Sequence, residues 1–341
     1  MLNIAVSGCG RIAQNRHLPE YAANPNARIC AVYDRKAEKA ESLAQKYGAK
    51  AYRMTDELLA SSEIDAVSIC TANVTHAPLA IEALKSGKHV LCEKPMANTW
   101  QECEQMLSAA AGANRRLLIA HNQRMDPVHQ KAREVLLSGT IGRVLSFHAT
   151  FGHPGPDHYA KTGDIWFFKK HDAALGVIAD LGVHKLDLIR HLLNDEVKRI
   201  SAMTATLDKR NGAGTLIDVD DNALCLLEMG NGAIGTVTAS WTYYSGREEA
   251  TVIYGTQGSL HIYEKPETPL FAVFRDGERR CFEIGRYPER HGTGIIDEFV
   301  SAIRDNRSSI LDASAVAGSM KAVFAANQSA QEGITIQINP F

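Results

Sequence analysis

Gly8-Cys9-Gly10-Arg11-Ile12-Ala13 follows the apolar run Asn3 to Ser7 and opens a segment of helical spacing from Ala13 to Ala23. A strand, a glycine turn and a helix in that order predict a cradle for a dinucleotide's pyrophosphate. The first glycine allows the tight turn, and the second lets backbone N–H groups approach the phosphates at the helix N-terminus. Ala13 fills the third small position. Glycine turns after strands are common, so the neighbouring residues decide the matter. Asp34 ends the second apolar run, about 20 residues past the turn, where a carboxylate can accept hydrogen bonds from both adenosine ribose hydroxyls. The same side chain suits capping of a helix that starts near Arg35, and the two roles are compatible. A carboxylate there repels a 2′-phosphate, which favours NAD(H). Arg35 can pair with a 2′-phosphate or stack on adenine, which keeps NADP(H) open.

Outward from the turn, short β-type runs alternate with amphipathic segments. The strands are expected at Asn3 to Ser7, Arg28 to Tyr33, Ala66 to Cys70, His89 to Cys92 and Leu117 to Ala120. Helices are expected at Ala37 to Tyr47, His76 to Ser86 and Thr99 to Gly112. Such alternation builds βαβ units, and right-handed crossovers make a doubly wound parallel sheet, an α/β Rossmann domain over 1–121. Beyond it, a helix from Pro127 to Leu137 leads into longer period-2 runs such as Val144 to Phe151, Ala223 to Glu228 and Ala233 to Trp241, broken by turns like Met229-Gly230-Asn231-Gly232. That pattern predicts an α+β domain over 122–341 with a large, mostly antiparallel open sheet for substrate binding and oligomerisation. The closing helices are expected at Gly294 to Asp305 and Ala313 to Ala330, the last packing back on the first domain.

Composition narrows the class. The 341 residues are 45% hydrophobic and 22% charged, and 37 basic against 39 acidic residues leave a formal net charge of −2. So even a balance offers no field for nucleic acid or an anionic membrane. Seven scattered cysteines without a CxxC pair predict neither a disulfide framework nor a zinc site, and most sit in strand-like runs as buried thiols. The start has no signal-peptide apolar region, and no apolar run reaches the roughly 18 residues of a membrane helix. A cytoplasmic protein is expected.

Three further stretches stand in order after the turn: Cys70-Thr71-Ala72-Asn73-Val74-Thr75-His76, Glu93-Lys94-Pro95, and Asp180-Leu181-Gly182-Val183-His184-Lys185-Leu186-Asp187. With the turn, they resemble the glucose-fructose oxidoreductase/inositol dehydrogenase family, Gfo/Idh/MocA, over essentially the whole chain. This chain departs from the family pattern at Ala72, where proline is usual, and at Leu175-Gly176, where a glycine pair is usual. The resemblance implies an NAD(P)-dependent dehydrogenase or reductase, moving a hydride between nicotinamide and a secondary hydroxyl or ketone of a sugar, sugar derivative or cyclitol. It also implies a homodimer or homotetramer and requires no metal.

Such chemistry needs a proton acceptor for the hydroxyl and a positive group beside the developing alkoxide. Asp180 and His184, four apart in a helical or helix-entry segment, share a face where the carboxylate can orient the imidazole; the plain alternative is a surface pair. Lys94, following the fourth strand, stands at the carboxyl edge of the sheet where open α/β folds bind ligands. By the resemblance, Lys94 and His184 are catalytic, with His184 as base or acid and Lys94 as donor in the proton relay. The cofactor-binding set joins Gly8, Gly10, Arg11, Ile12, Asp34 and Arg35 to Thr71, Asn73, His76, Glu93 and Lys94. Glu93 either touches the nicotinamide ribose or positions Lys94, and His76 serves equally as a helix-cap residue. Arg124 and Trp166 resemble substrate-side positions, against a surface ion pair and a core aromatic as alternatives. The segment His153 to Tyr159 is read as a substrate-specificity loop; the five-residue spacing of His148, His153 and His158 does not suit zinc. Two other functions stay open, namely glycoside hydrolysis by transient redox at tightly bound NAD, and a non-catalytic nucleotide sensor.

Overall fold

The computed structural model describes residues 1–163, 165–284 and 292–339. They divide into two compact units, one of Met1–Met125 with Tyr287–Ala317, the other of Asp126–Arg286 with Gly318–Phe341.

The first unit holds a six-stranded sheet of β1 (Leu2–Ser7), β2 (Ala27–Tyr33), β3 (Lys50–Tyr52), β4 (Ala66–Ile69), β5 (His89–Cys92) and β6 (Leu117–Ile119). Its order is β3-β2-β1-β4-β5-β6 and every neighbouring pair is parallel, the doubly wound arrangement expected. Ile4, Val6, Leu91 and Leu118 from the sheet pack with Leu18, Tyr21 and Phe299 in one core. Phe299 arrives on helix Ile295–Arg304, a late segment that fills an apolar gap in the early fold. The strand β3 and the helix Thr55–Ala60 were not expected, because a three-residue edge strand carries too little period-2 signal. The helix expected over Ala13 to Ala23 is split into a π-helical turn, Ala13–His17, and the α-helix Leu18–Ala23. Pro19 has no N–H for the α-helical ladder, and the wider turn rotates His17 inward.

The second unit holds β7 (Val144–Gly152), β8 (Val197–Ala205), β9 (Asn222–Met229), β10 (Ile234–Ser240), β11 (Thr251–Gly255), β12 (Gly258–Lys265), β13 (Thr268–Phe274), β14 (Arg279–Cys281) and β15 (Ile336–Gln337). They form one nine-stranded sheet, ordered β14-β13-β12-β11-β7-β10-β9-β8-β15, in which only β7 and β10 run parallel among the described pairs. The short β14 and β15 escape sequence patterning for the same reason as β3. Helix Pro127–Leu137 begins where expected: Asp126 accepts from the N–H groups of Val128 and His129, and Pro127 needs no partner at the first turn. No helix among the described residues is long and apolar enough to cross a membrane.

Candidate active site

Register aligns the strand ends of the first unit in one row. Ser7 lies beside Tyr33 and Ile69, Ile69 beside Cys92, and Cys92 beside Ile119. Every motif of the first unit therefore begins one step beyond that row: Gly8 after β1, Asp34 after β2, Cys70 after β4 and Glu93 after β5. The ladder carries on into them, with Gly8 N donating to Tyr33 O at 2.8 Å, Cys70 N to Ser7 O at 2.8 Å and Glu93 N to Ile69 O at 3.0 Å. The winding reverses between β1 and β4, and a doubly wound sheet binds its ligand outside the carboxyl ends at that switch.

Gly8 sits at the reversal with φ +93°, and a Cβ on it would lie 2.6 Å from the carbonyl oxygen of Cys70, so no side chain fits. A Cβ on Gly10 would meet nothing within 4 Å, so the backbone there is open to a bulky group. Cys9 N donates to Asp34 Oδ2 and Lys36 N to Asp34 Oδ1, each at 2.8 Å. Asp34 thus ties the glycine turn to the entry of helix Ala37–Tyr47, which spans the residues expected, and its oxygens keep lone pairs for ribose hydroxyls. Arg11 and Arg35 are exposed beside it. These residues fit a dinucleotide: an open glycine backbone, a helix start, and an oriented carboxylate.

The Thr71 to His76 segment is braced from within. Thr75 Oγ1 donates to Thr71 Oγ1 at 2.6 Å, and Asn73 is buried. His76 Nδ1 lies 2.8 Å from Pro95 O and Nε2 3.2 Å from Thr71 O. Burial holds this imidazole below its ordinary pKa despite both carbonyls, so the ring is neutral and donates to one carbonyl at a time. It links the second motif to the third, where the Lys94–Pro95 peptide is cis. Glu93 is buried: Oε1 pairs with His17 Nε2 at 2.9 Å and Oε2 accepts from Lys94 N at 3.2 Å. Lys94 itself is half-buried.

In the second unit, Asp180 lies in the π-helical turn Ile178–Gly182, which runs straight into helix Val183–Leu193 bearing His184. The turn is clasped by Asp220, whose carboxylate accepts from Gly176 N at 3.0 Å and Ile178 N at 2.8 Å. A Cβ on Gly176 would stand 1.9 Å from Asp220 O, so the one glycine kept of the expected pair is the one that backbone contact requires. Ala174, two residues earlier, adopts φ +63° and ψ −51° with Leu175 N bonded back to Ala173 O at 2.8 Å, a strained γ-turn. Asp180 Oδ2 accepts from Trp241 Nε1 at 3.0 Å. Trp166 stacks on Phe167 at 3.8 Å, and Phe167 meets Trp241 edge-on at 6.4 Å, which brings Trp166 and Asp180 into one aromatic-lined group. His184 is buried against Phe151, ring centres 5.7 Å apart, and Phe151 also meets His153 at 6.1 Å. His153 in turn touches Tyr159 at 5.4 Å, so the 153–159 loop reaches His184 through Phe151. Lys209 Nζ anchors the loop on Pro154 O at 2.5 Å and Asp157 Oδ2 at 3.0 Å.

Arg124 is buried in the first unit and donates to Ile310 O at 2.8 Å and Ala315 O at 3.2 Å. Its guanidinium holds backbone, a role that neither sequence reading of this residue included. Sequence reasoning also missed His17, Ser68, Lys209, Asp220 and Trp241. The burial of Glu93 that demands a cationic partner is set by the tertiary fold, so no signal in the sequence pointed to His17.

The family described as "Oxidoreductase family, NAD-binding Rossmann fold" (GFO_IDH_MocA) matches residues 2–121, and the GFO/IDH/MocA C-terminal domain matches residues 129–261. The myo-inositol 2-dehydrogenase of Thermotoga maritima is 26% identical, across 90% of this chain and 89% of its own. The dTDP-3,4-didehydro-2,6-dideoxy-alpha-D-glucose 3-reductase of Streptomyces violaceoruber is 31% identical across 96% of this chain and 95% of its own. Among solved structures, a levoglucosan dehydrogenase in complex with NADH and L-sorbose superposes with a TM-score of 0.89 at 25% identity, covering 99% of both chains.

Proposed function

The chain belongs to the GFO/IDH/MocA family of oxidoreductases, and from that premise we propose that it moves a hydride between NAD and a secondary hydroxyl or ketone of a sugar, sugar derivative or cyclitol. The observation that carries the reading is the single row in which Gly8, Asp34, Thr71 and Lys94 follow the aligned strand ends. Bound NAD supplies the hydride acceptor, and its reduced form the donor. Gly8, Gly10, Arg11 and Ile12 hold its pyrophosphate, Asp34 its adenosine ribose, and Thr71 and Asn73 the central stretch. The carboxylate of Asp34 disfavours a 2′-phosphate, which makes NAD(H) the preferred form over NADP(H).

Two groups handle the substrate's proton. His184 takes the hydroxyl proton in oxidation and returns it in reduction. Asp180, held by Trp241, steadies the charge that develops on that side. Lys94 donates to the alkoxide oxygen, the role a cationic donor serves best while charge builds in the transition state. Trp166 and the loop from His153 to Tyr159 contribute to substrate choice. Arg124 and His76 brace the fold around these groups, since their polar atoms meet backbone carbonyls.

A homodimer or homotetramer fits the sheet of the second unit. Leu224 at 55% and Leu226 at 63% exposure alternate along β9 with buried Cys225 and Leu227, and Met203 at 74% pairs directly with Leu224. With Ile234 on β10, they make an apolar sheet face of the kind a partner subunit covers.

The test is a panel of myo-inositol, levoglucosan, L-sorbose and dTDP-deoxysugars, read at the absorbance of reduced nicotinamide. Turnover is expected with at least one compound, and Lys94→Ala is expected to abolish it. A wild-type protein inactive across the panel sinks the substrate class, whereas an active Lys94→Ala sinks only the role of Lys94. Hydrolysis products without added cofactor mark the transient-redox alternative instead.

A further inference from the structure

We propose that His17 is a positioning residue of the Glu93-Lys94-Pro95 motif, holding the Glu93 carboxylate ionised and aimed so that the chain presents Lys94 in one orientation. This rests on the reading of Lys94 as a proton donor to substrate.

His17 is 3% exposed, at the end of the π-helical turn that follows the glycine cradle. Its ring bridges two strands: Nδ1 lies 2.7 Å from Ser68 Oγ on β4, and Nε2 2.9 Å from Glu93 Oε1 just past β5. Tyr21 OH donates to the same Ser68 oxygen at 3.4 Å. An imidazolium donates from both nitrogens, which suits a serine oxygen on one side and a carboxylate on the other. The second carboxylate oxygen is bonded to the N–H of Lys94, so both ends of the carboxylate are held and the backbone of Lys94 is fixed with it.

Electrostatics agrees with that geometry. Burial opposes a charged imidazole, yet the neighbouring Cys70 and Glu93 outweigh it and raise His17 to about 10. Burial likewise opposes the Glu93 carboxylate, yet His17 holds it below its ordinary value, with Lys94 and Arg16 adding to the effect. Of the other groups near the pair, His76 is held neutral, the Cys92 thiol is pushed well up by burial, and Glu20, which accepts from Thr293 N, is raised by burial while the His17 charge opposes that shift. A buried ion pair does little for stability that a packed apolar pair would not do, so its place directly under Lys94 asks for a functional reason. The π-helical turn gives the pair a second consequence: one short segment carries both the cofactor cradle and the brace of the proton donor.

The experiment combines the cofactor-free protein with steady-state turnover on the fastest compound of the panel. By NMR of the free protein, the His17 ring is expected to stay protonated well above pH 6.5, and Glu93→Gln to lower its titration while the influence of Cys70 remains. His17→Leu is expected to lower kcat by about tenfold or more, with the Kd for NADH within about threefold. His17→Gln keeps a donor without the charge. It is expected to recover part of kcat at high pH while kcat/KM gains an acid limb, as buried Glu93 without a cation protonates more readily. Should His17→Leu fail to fold, the ring titration and His17→Gln decide alone. A neutral His17 ring at pH 7.5, wild-type kcat and pH profile in both variants, or a loss confined to NADH affinity overturns the proposal. Turnover retained by Lys94→Ala overturns the reading of Lys94 and this inference with it. Turnover lost there but unchanged in both His17 variants overturns the inference alone.

Discussion

The two units place their candidate residues by different physics. In the first, the residues follow parallel strands whose ends are in register, so a side chain's place is set by how many residues separate it from its own strand. In the second, Asp180 and His184 ride on a π-to-α helical segment that distant residues hold in place, namely Asp220 below the turn, Trp241 on the carboxylate and Phe151 against the imidazole. The first arrangement is set chiefly at the strand ends, with His17 reaching Glu93 from 76 residues away. The second depends on contacts from 33 to 61 residues away in the chain, so it has more ways to be disturbed without any candidate residue being replaced.

That contrast can be broken most forcefully at Gly8. Gly8→Val places a branched side chain where a Cβ already meets Cys70 O at 2.6 Å, at a φ of +93° that valine avoids. NADH affinity is expected to fall by about 100-fold, equivalent to ~2.7 kcal/mol, as read by fluorescence titration. Unchanged affinity would mean that the glycine turn does not hold the cofactor.

Trp241→Phe probes the other unit by removing the indole N–H from Asp180 while keeping an aromatic ring. A lost hydrogen bond to a charged group is worth about 1.5–3 kcal/mol, so kcat/KM is expected to drop on the order of tenfold or more with NADH affinity unaltered. If NADH affinity falls in step, the division of labour between the units is wrong.

Lys185, next to His184, sharpens the same point through pH. Its ammonium is fully buried, donating to Glu249 O at 3.0 Å and Thr251 Oγ1 at 3.2 Å, and burial lowers it from 10.5 to about 8. The folded state thus binds fewer protons than the unfolded chain between pH 8 and 10.5. The cost of this lysine, up to about 3 kcal/mol, is complete below pH 8 and fades as pH rises through that window. Relative to wild type, Lys185→Met is expected to be most favourable at pH 7 and to lose that advantage by pH 10.5. Urea midpoints at several pH values read this directly, and a pH-independent difference would contradict it.

The smallest effect is expected at Ala174, in the γ-turn ahead of Asp180. Ala174→Gly relieves a positive φ at the cost of a more flexible unfolded chain, for a net gain of about 1 kcal/mol and a slightly raised Tm. A lowered Tm would show that the turn is not strained.

How much of this was legible beforehand follows the same division. Asn3 to Ser7, the glycine turn and Asp34 announce themselves because a parallel strand buried on both faces reads as an unbroken apolar run and its turn chemistry is local. Helix Ala37–Tyr47 falls where its spacing predicts. Lys185 within Val183-His184-Lys185-Leu186 reads from its residue type as a solvent-facing lysine, yet it is fully buried, because β7 and β11 fold back over the helix that carries it. The backbone partners of Arg124 likewise come from the return of the chain through Ile310 and Ala315, which no local spacing reports.

By itself the sequence determined the class of fold, the dinucleotide turn and the preference for NAD, because each depends on spacing within about one supersecondary unit, while the candidate residues for the chemistry came through the family resemblance. The tertiary structure alone decided that His17 pairs with Glu93, that Trp241 holds Asp180, and that Asp220 clasps the turn before it. Those partners lie 76, 61 and 42 residues apart or more, and no local pattern of apolarity or turn chemistry reports which distant side chain satisfies a buried charge.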